Sequence, residues 1–212
     1  RQEVRREVFG RVEPTEGVVM AKDRLAKYRE KRDFARTEEP EGLARGPAPE
    51  ADGRRFVVQK HDASQLHYDF RIEHDGALLS WAVTKGPSPD PSQKRLAVRT
   101  EDHPLDYAEF EGTIPEEEYG GGTVMLWDEG TWEPRVDMDE ALGDGEIKME
   151  LNGRRMRGRW VLVRMKGDGK GKNWLLIKEK DDETGAADAL TDGNARSVRT
   201  GRTMRQIEKG EA

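Results

Sequence analysis

The 212-residue chain contains no cysteine, so disulfides, thiolate metal sites and cysteine nucleophiles are excluded. Any metal must be held by imidazole and oxygen ligands. Apolar residues are scarce, at 33% against 38% charged, and mean hydropathy is −0.96. That balance puts part of the chain outside the core as solvated tail. No apolar run approaches a membrane span, and the N-terminus lacks the apolar stretch of a signal peptide, so the expected compartment is the cytoplasm with no membrane contact. The length favours one compact domain with trailing ends. The chain opens at Arg1 and its first methionine is Met20, which suits an excised module, a processed form or a chain with a leader.

The net charge of −6 hides a polarised distribution. Residues 100–134 carry no Lys or Arg, whereas 154–172 carry Arg154, Arg155, Arg157, Arg159, Arg164, Lys166, Lys170 and Lys172 against Asp168 alone. Such a run is either a solvated face or a surface for a phosphate backbone.

Residues 1–19 form a leader without sustained periodicity, and Met20–Arg32 reads as one short amphipathic helix. Arg36–Gly53, rich in Pro, Gly and Glu, reads as a loop, and with the leader and helix it gives an N-terminal region over 1–53. From Arg54 short strands are expected at Arg54–Lys60, Leu66–Glu73, Ala77–Val83, Arg95–Thr100, Thr123–Trp127, Thr131–Glu133, Glu146–Leu151, Gly158–Met165 and Asn173–Lys180. Many short strands joined by turn residues predict a mainly β fold over 54–180, a closed or nearly closed antiparallel barrel with a short flanking N-terminal helix and flexible ends. Residues 181–212 read as a flexible tail or linker.

The chemistry concentrates in two clusters. Leu66–Glu73 alternates apolar and ionisable residues, so a strand there puts His67, Asp69 and Arg71 on one face. The ordinary meaning is a half-buried strand whose polar face meets water. Imidazole, carboxylate and guanidinium on one face also suit two metal ligands and an anion clamp, with His61 at the end of the preceding strand as a third ligand. In the second cluster Pro104 opens a helical turn, so His103 and Tyr107 share a side and can both donate to a phosphate oxygen. Lys85 and Arg95 flank the proline-rich loop Gly86–Pro91 and read as surface residues. His74, beside Asp75 and Gly76 in a hairpin turn, is expected at the surface with no role.

The motifs Lys60–Ser64, His67–Arg71, Ser80–Val83, Lys85–Ser88, Lys94–Val98, Glu101–Tyr107, Phe110–Gly112, Ile114–Pro115 and Glu118–Gly120 resemble, in order and spacing, the phosphoesterase module of bacterial DNA ligase D. Arg32–Phe34 and Thr37–Pro40 are similar to that family's N-terminal motif, and Thr200–Thr203 resembles the linker that follows the module. The resemblance covers roughly residues 25–180. One departure is Gly121-Gly122, where the family commonly has a small residue followed by Gly.

The resemblance implies a β-barrel enzyme that removes a 3′-terminal ribonucleoside and then the 3′ phosphate from DNA or RNA-terminated DNA ends during non-homologous end joining. It implies manganese held by His61, His67 and Asp69. It also implies a catalytic group of Arg71, His103 and Tyr107 on the scissile phosphate, with Lys85 and Arg95 in support. Glu101, with the substrate-binding Arg32, Asp33 and Glu39, would serve the ribonucleoside step. Expected partners are a ligase or polymerase module and other end-joining proteins, at the nucleoid. Two other readings stand beside this one. An iron-dependent oxygenase would use His67, Asp69 and His103 as a two-histidine, one-carboxylate triad. A non-catalytic module would dock on DNA ends through the 154–172 basic run.

Overall fold

A computed structural model describes residues 23–42, 53–167, 171–191 and 195–211. The leader, the first residues of the expected N-terminal helix, most of the loop before Gly53, and Asp168 and Lys170 of the basic run lie outside the described residues.

The period-two segments form β1 (Arg54–Asp62), β2 (Leu66–His74), β3 (Ala77–Val83), β4 (Lys94–Arg99), β6 (Gly122–Pro134), β7 (Glu146–Gly153), β8 (Arg157–Arg164) and β9 (Asn173–Lys178), with a three-residue β5 (Gly112–Ile114) before β6. All pairings are antiparallel, and strand order is β1-β2-β3-β4-β9-β8-β7-β6, closed by β6 on β1, with β5 hanging from the far end of β6. Closure leaves the barrel strands no free edge, as the strand count predicts. The two segments expected at 123–127 and 131–133 are one strand: β6 runs unbroken past β1, and the register slips between Val58 and Gln59, opposite Asp128 and Leu126. That bulge lets β6 bend, so its first part pairs with β5 and its last part with β7.

Inside the barrel, alternate side chains such as Phe56, Val58, Phe70, Ile72, Trp81, Trp127, Trp160 and Leu162 form the main core. Truncating one of these tryptophans costs roughly 3–5 kcal/mol. A second apolar cluster covers the outside of the wall: Val57, Leu78, Val124 and Leu126 point outward and meet Tyr28, Tyr107, Ala108, Phe110 and Ile114. Tyr28 comes from α1 (Ala26–Glu30), and Tyr107 from a 3-10 helix over Leu105–Glu109. An arm formed by residues 23–42 therefore lies on the outer face of the wall formed by β1, β2 and β6. The candidate site lies beneath it.

Two short helices stand outside the strand pattern. α2 (Met138–Asp144) starts where the Asp137 carboxylate accepts from the Asp139 and Glu140 amides, and stops at Gly145, whose φ of 81° suits glycine. After β9, α3 (Met204–Glu208) opens with a reciprocal Thr203–Gln206 cap and packs on β5 and β6 with Ile207 buried. Polar composition over 181–212 conceals this docking, because single apolar residues (Leu190, Met204, Ile207) fasten it to the core. The Arg202 guanidinium and Thr200 hydroxyl also bind the Glu111 carboxylate.

Candidate metal and phosphate site

Antiparallel register places His61 of β1 directly opposite His67 of β2, and Gln59 opposite Asp69. Period two then brings Asp69 and Arg71 onto the same outward face. One Asp69 oxygen, Oδ2, lies 3.4 Å from His61 Nδ1 and 3.7 Å from His67 Nε2. A ligand atom from each of these three residues lies within 4.8 Å of the others. The remaining imidazole nitrogens are committed: His61 Nε2 donates to the Gly120 carbonyl at 2.8 Å, and His67 Nδ1 to that of Gln65 at 2.8 Å. Each histidine thereby turns its other nitrogen, His61 Nδ1 and His67 Nε2, toward Asp69, where it donates to the carboxylate when protonated and offers a lone pair to a metal when not, the orientation that outer hydrogen bonds give to metal-ligating histidines. Two imidazoles and a carboxylate fit a divalent transition-metal ion, and this donor set does not choose among manganese, iron and zinc.

Electrostatics keep the carboxylate ready. Burial alone would raise the Asp69 pKa, but the Arg71 charge and hydrogen bonds from His61 and His67 hold it well below the usual carboxylate range. Burial opposes charge on His67, and Asp69 overcomes that to raise its pKa.

Arg71 is buried at 2% exposure. Its Nε donates to Gln59 Oε1 at 2.8 Å and its Nη2 to Asp69 at 3.1 Å, while Nη1 is buried without a partner among the described residues. An unpaired buried guanidinium nitrogen costs free energy unless a ligand completes it. Gln59, absent from the sequence-derived set, fixes this geometry: its amide also donates to the Tyr107 and Phe110 carbonyls at 2.9 Å each. A lone amide after the apolar run Phe56–Val58, two residues before His61, was the available signal.

His103 and Tyr107 share a side as expected, with ring centroids 4.8 Å apart. His103 is locked by a β-bridge to Leu78 and by Nδ1 donation to the Glu101 carbonyl at 2.9 Å, which leaves Nε2 as an acceptor 3.4 Å from Arg32 Nη2. Burial, then the Arg71 and Arg32 charges, hold its pKa well below the histidine range, so it is neutral near pH 7. The Arg71 guanidinium stands 4.8 Å from the Tyr107 ring centroid and thus joins this pair to the metal-ligand cluster.

The arm closes the roof. Arg32 Nε and the Tyr107 hydroxyl both donate to Glu39 Oε1 at 2.9 Å, deep in the interior. Glu101 binds Lys31 at 2.9 Å and Arg32 at 3.4 Å, and Arg36 meets Glu118 at 2.8 Å. Asp33 does not join this network: it is exposed, and its carboxylate accepts from the Ala35 amide, shaping the turn that carries Arg32 toward Glu39. Lys85 is exposed beyond β3, and Arg95 on β4 binds Asp188 and the Ala187 carbonyl, so neither touches the cluster.

Other expectations change. The oxygenase triad is not assembled, because both ring nitrogens of His103 face Glu101 and Arg32 rather than His67 and Asp69. His74 is buried at 8% exposure, not surface-exposed, because it ends β2 under the hairpin, with Nε2 3.3 Å from Asp75. In the basic run, Arg154, Arg155, Arg157, Arg159 and Arg164 all hold backbone carbonyls.

Comparison with known proteins shows the family of the chain. A model of the DNA ligase D 3′-phosphoesterase domain matches residues 59–164, which include the metal-ligand cluster, Arg71, His103 and Tyr107. The multifunctional non-homologous end joining protein LigD of Pseudomonas aeruginosa is 53% identical over 165 residues, covering 77% of this chain and 19% of that protein. The multifunctional non-homologous end joining DNA repair protein LigD of Mycobacterium tuberculosis is 45% identical over 161 residues, covering 76% of this chain and 20% of that protein. LigD of Mycolicibacterium smegmatis is 40% identical over 167 residues, covering 76% and 21% respectively. The chain spans about a fifth of the length of these relatives. With that similarity running through the barrel and its outward-facing site, the chain belongs to the DNA ligase D 3′-phosphoesterase domain family.

Proposed function

We propose that this chain is a manganese-dependent 3′-end phosphoesterase. It removes a 3′-terminal ribonucleoside and then the 3′ phosphate from DNA or RNA-terminated DNA, leaving a 3′ hydroxyl for ligation in non-homologous end joining. The observation that carries the reading is the Arg71 guanidinium, buried with Nη1 unpaired among the described residues, beside three side chains whose possible metal-ligand atoms lie within 4.8 Å of one another. A phosphate oxygen completes both.

His61, His67 and Asp69 would hold the metal, which supplies Lewis-acid polarisation of a non-bridging phosphate oxygen when bound. Arg71 donates from Nη1 to a second oxygen and neutralises charge as the oxygen of a water molecule bonds to phosphorus, losing a proton to solvent, and the bond to the leaving oxygen breaks. His103 Nε2 is deprotonated in the free protein because burial disfavours its charged form and Arg71 and Arg32 repel a proton. Phosphate offsets those charges and draws a proton onto Nε2, which His103 then uses to stabilise or protonate the departing oxygen. Tyr107 has one proton and gives it to Glu39, so it reaches phosphate only by turning away from that carboxylate. Glu39 and Arg32 thereby link arm position to what occupies the site, which suits a role for the arm with the larger, nucleoside-bearing substrate. Lys85 and Arg95, which do not touch the cluster, would serve the substrate strand away from the scissile phosphate, and the cytoplasmic nucleoid is where such ends arise.

The test is phosphate release from a 3′-phosphate oligonucleotide and nucleoside release from a ribonucleotide-terminated one, with manganese or with chelator. Manganese-dependent release of both products is expected. Turnover requiring iron and a 2-oxo acid would favour the oxygenase, and end binding without turnover would favour the docking module.

A further inference from the structure

Tyr119 stands apart from the other tyrosines and the tryptophans. The five tryptophans and the other three tyrosines are buried, at 5% exposure or less, whereas Tyr119 is 49% exposed. Its ring is nonetheless held in place. Lys31 Nζ lies 4.2 Å from the ring centroid and 3.0 Å from the hydroxyl, and Arg32 Cζ lies 5.7 Å from the centroid. Lys31 in turn binds Glu101, whose backbone carbonyl orients His103.

The backbone beneath the ring is equally fixed. The next residue, Gly120, supplies the carbonyl that His61 Nε2 binds at 2.8 Å. Consecutive turns bond the Glu118 amide to Pro115 and the Gly121 amide to Glu118, each at 3.0 Å. Gly121 and Gly122 are pressed against neighbouring backbone: an added Cβ would sit 2.6 Å from the Pro115 oxygen and 2.2 Å from that of Asp62. A cleft of about 420 Å³ opens alongside, lined by Asp62, Ser64, Glu116 and the glycines 120–122. A half-exposed aromatic ring is therefore mounted one residue from a metal-ligand contact, and that next residue, Gly120, lines a cleft with room for a sugar.

We propose that Tyr119 is the stacking platform for the nucleobase of the nucleotide that carries the 3′ phosphate, a base-binding subsite adjoining His61. The subsite rests on the phosphoesterase reading and deepens it. A 3′-phosphate end has one base near its phosphate, and stacking on an aromatic face accepts any base, as an enzyme that trims ends of arbitrary sequence requires. The cation on the ring holds it in one orientation before the substrate arrives, so little freedom is lost on binding.

The experiment compares Tyr119→Ala, Tyr119→Phe and wild type on two oligonucleotides, one ending in an ordinary nucleotide 3′ phosphate and one whose terminal residue is abasic but phosphorylated. Tyr119→Ala should raise KM about ten- to a hundredfold on the base-bearing end. On the abasic end it should change KM little, and Tyr119→Phe should resemble wild type on both. Equal losses on the two ends, or a phenylalanine variant as poor as alanine, would show that Tyr119 serves only to hold Lys31 and would overturn the subsite. So would an unchanged KM. Anisotropy binding of the same oligonucleotides carries the base-dependent difference without turnover. An inactive wild type that still shows this difference would count against the phosphoesterase reading and not against stacking.

Discussion

Replacing Arg71 separates its structural work from its catalytic work. The three nitrogens of its fork have distinct fates: one holds Gln59, one holds Asp69, and Nη1 is unpaired among the described residues. Arg71→Ala leaves the buried Gln59 oxygen and the Asp69 carboxylate without their cation, and breaking such a buried pair costs about 3–5 kcal/mol. Arg71→Lys keeps the charge but loses the planar fork, so the structural cost falls to about 1–3 kcal/mol, the range for one unsatisfied buried group. Catalysis should suffer in both. Losing one preorganised donor to developing negative charge costs about 2.7–4 kcal/mol, or a factor of about 10²–10³ in kcat. Single-turnover phosphate release, calorimetric unfolding and manganese titration on both variants separate these effects. The lysine variant should remain folded, bind manganese and lose at least about a hundredfold in kcat. A folded lysine variant within about threefold of the wild-type rate would refute the assignment of Nη1 to the scissile phosphate.

Other variants probe the arm and the basic run. Glu39→Gln keeps the volume but removes the charge gripped by Arg32 and Tyr107; it should slow ribonucleoside removal at least about tenfold more than 3′-phosphate removal, and equal losses on the two ends would contradict the division of labour. Asp33→Ala should loosen the arm turn by about 1 kcal/mol, read as faster amide exchange over residues 31–36 with the barrel unaffected. Burial works to raise the Glu101 pKa, but Lys31 and Arg32 lower it below its ordinary 4.5. Its contribution is then fully present above that value and lost as pH falls through the lower folded-state pKa, so acid should open the arm before the barrel unfolds, and Glu101→Gln should abolish that step in amide exchange. Neutralising Lys166, Lys170 and Lys172 together should flatten the dependence of log affinity on log salt by up to about 0.9 for each phosphate that the variant no longer neutralises; an unchanged slope would make the run a solvated face.

Most of the barrel was legible because alternation of apolar and polar side chains has a direct structural meaning. Leu66–Glu73 shows this best: the period that defined the strand also placed His67, Asp69 and Arg71 on one face. The alternation does not say which face looks inward or what covers the other. That face is roofed rather than wet because Tyr28, Tyr107 and Phe110 reach it from elements distant in sequence, and such long-range packing leaves no local period. The merger of two expected strands into β6 followed from a bulge that no single residue announces. Docking of α3 was hidden because Ile207 is one apolar residue in a polar segment, although its Thr203–Gln206 cap was readable. In the site, residue types were legible while hydrogen-bond partners were not: the carbonyls of Gln65 and Gly120, which orient the two imidazole rings, have no side-chain signature.

The most direct measurement of the central claim is manganese binding by electron spin resonance alongside phosphate release from a 3′-phosphate oligonucleotide, for wild type and for His61→Ala, His67→Ala and Asp69→Ala. Outer-shell partners alone are worth about 10- to 100-fold in metal affinity, so losing one of three ligands costs at least as much. Each variant should therefore fold, bind manganese far more weakly and release no phosphate at metal concentrations that saturate wild type. A folded variant that binds manganese and releases phosphate like wild type would remove that residue from the ligand set, and the same result for all three would contradict the account.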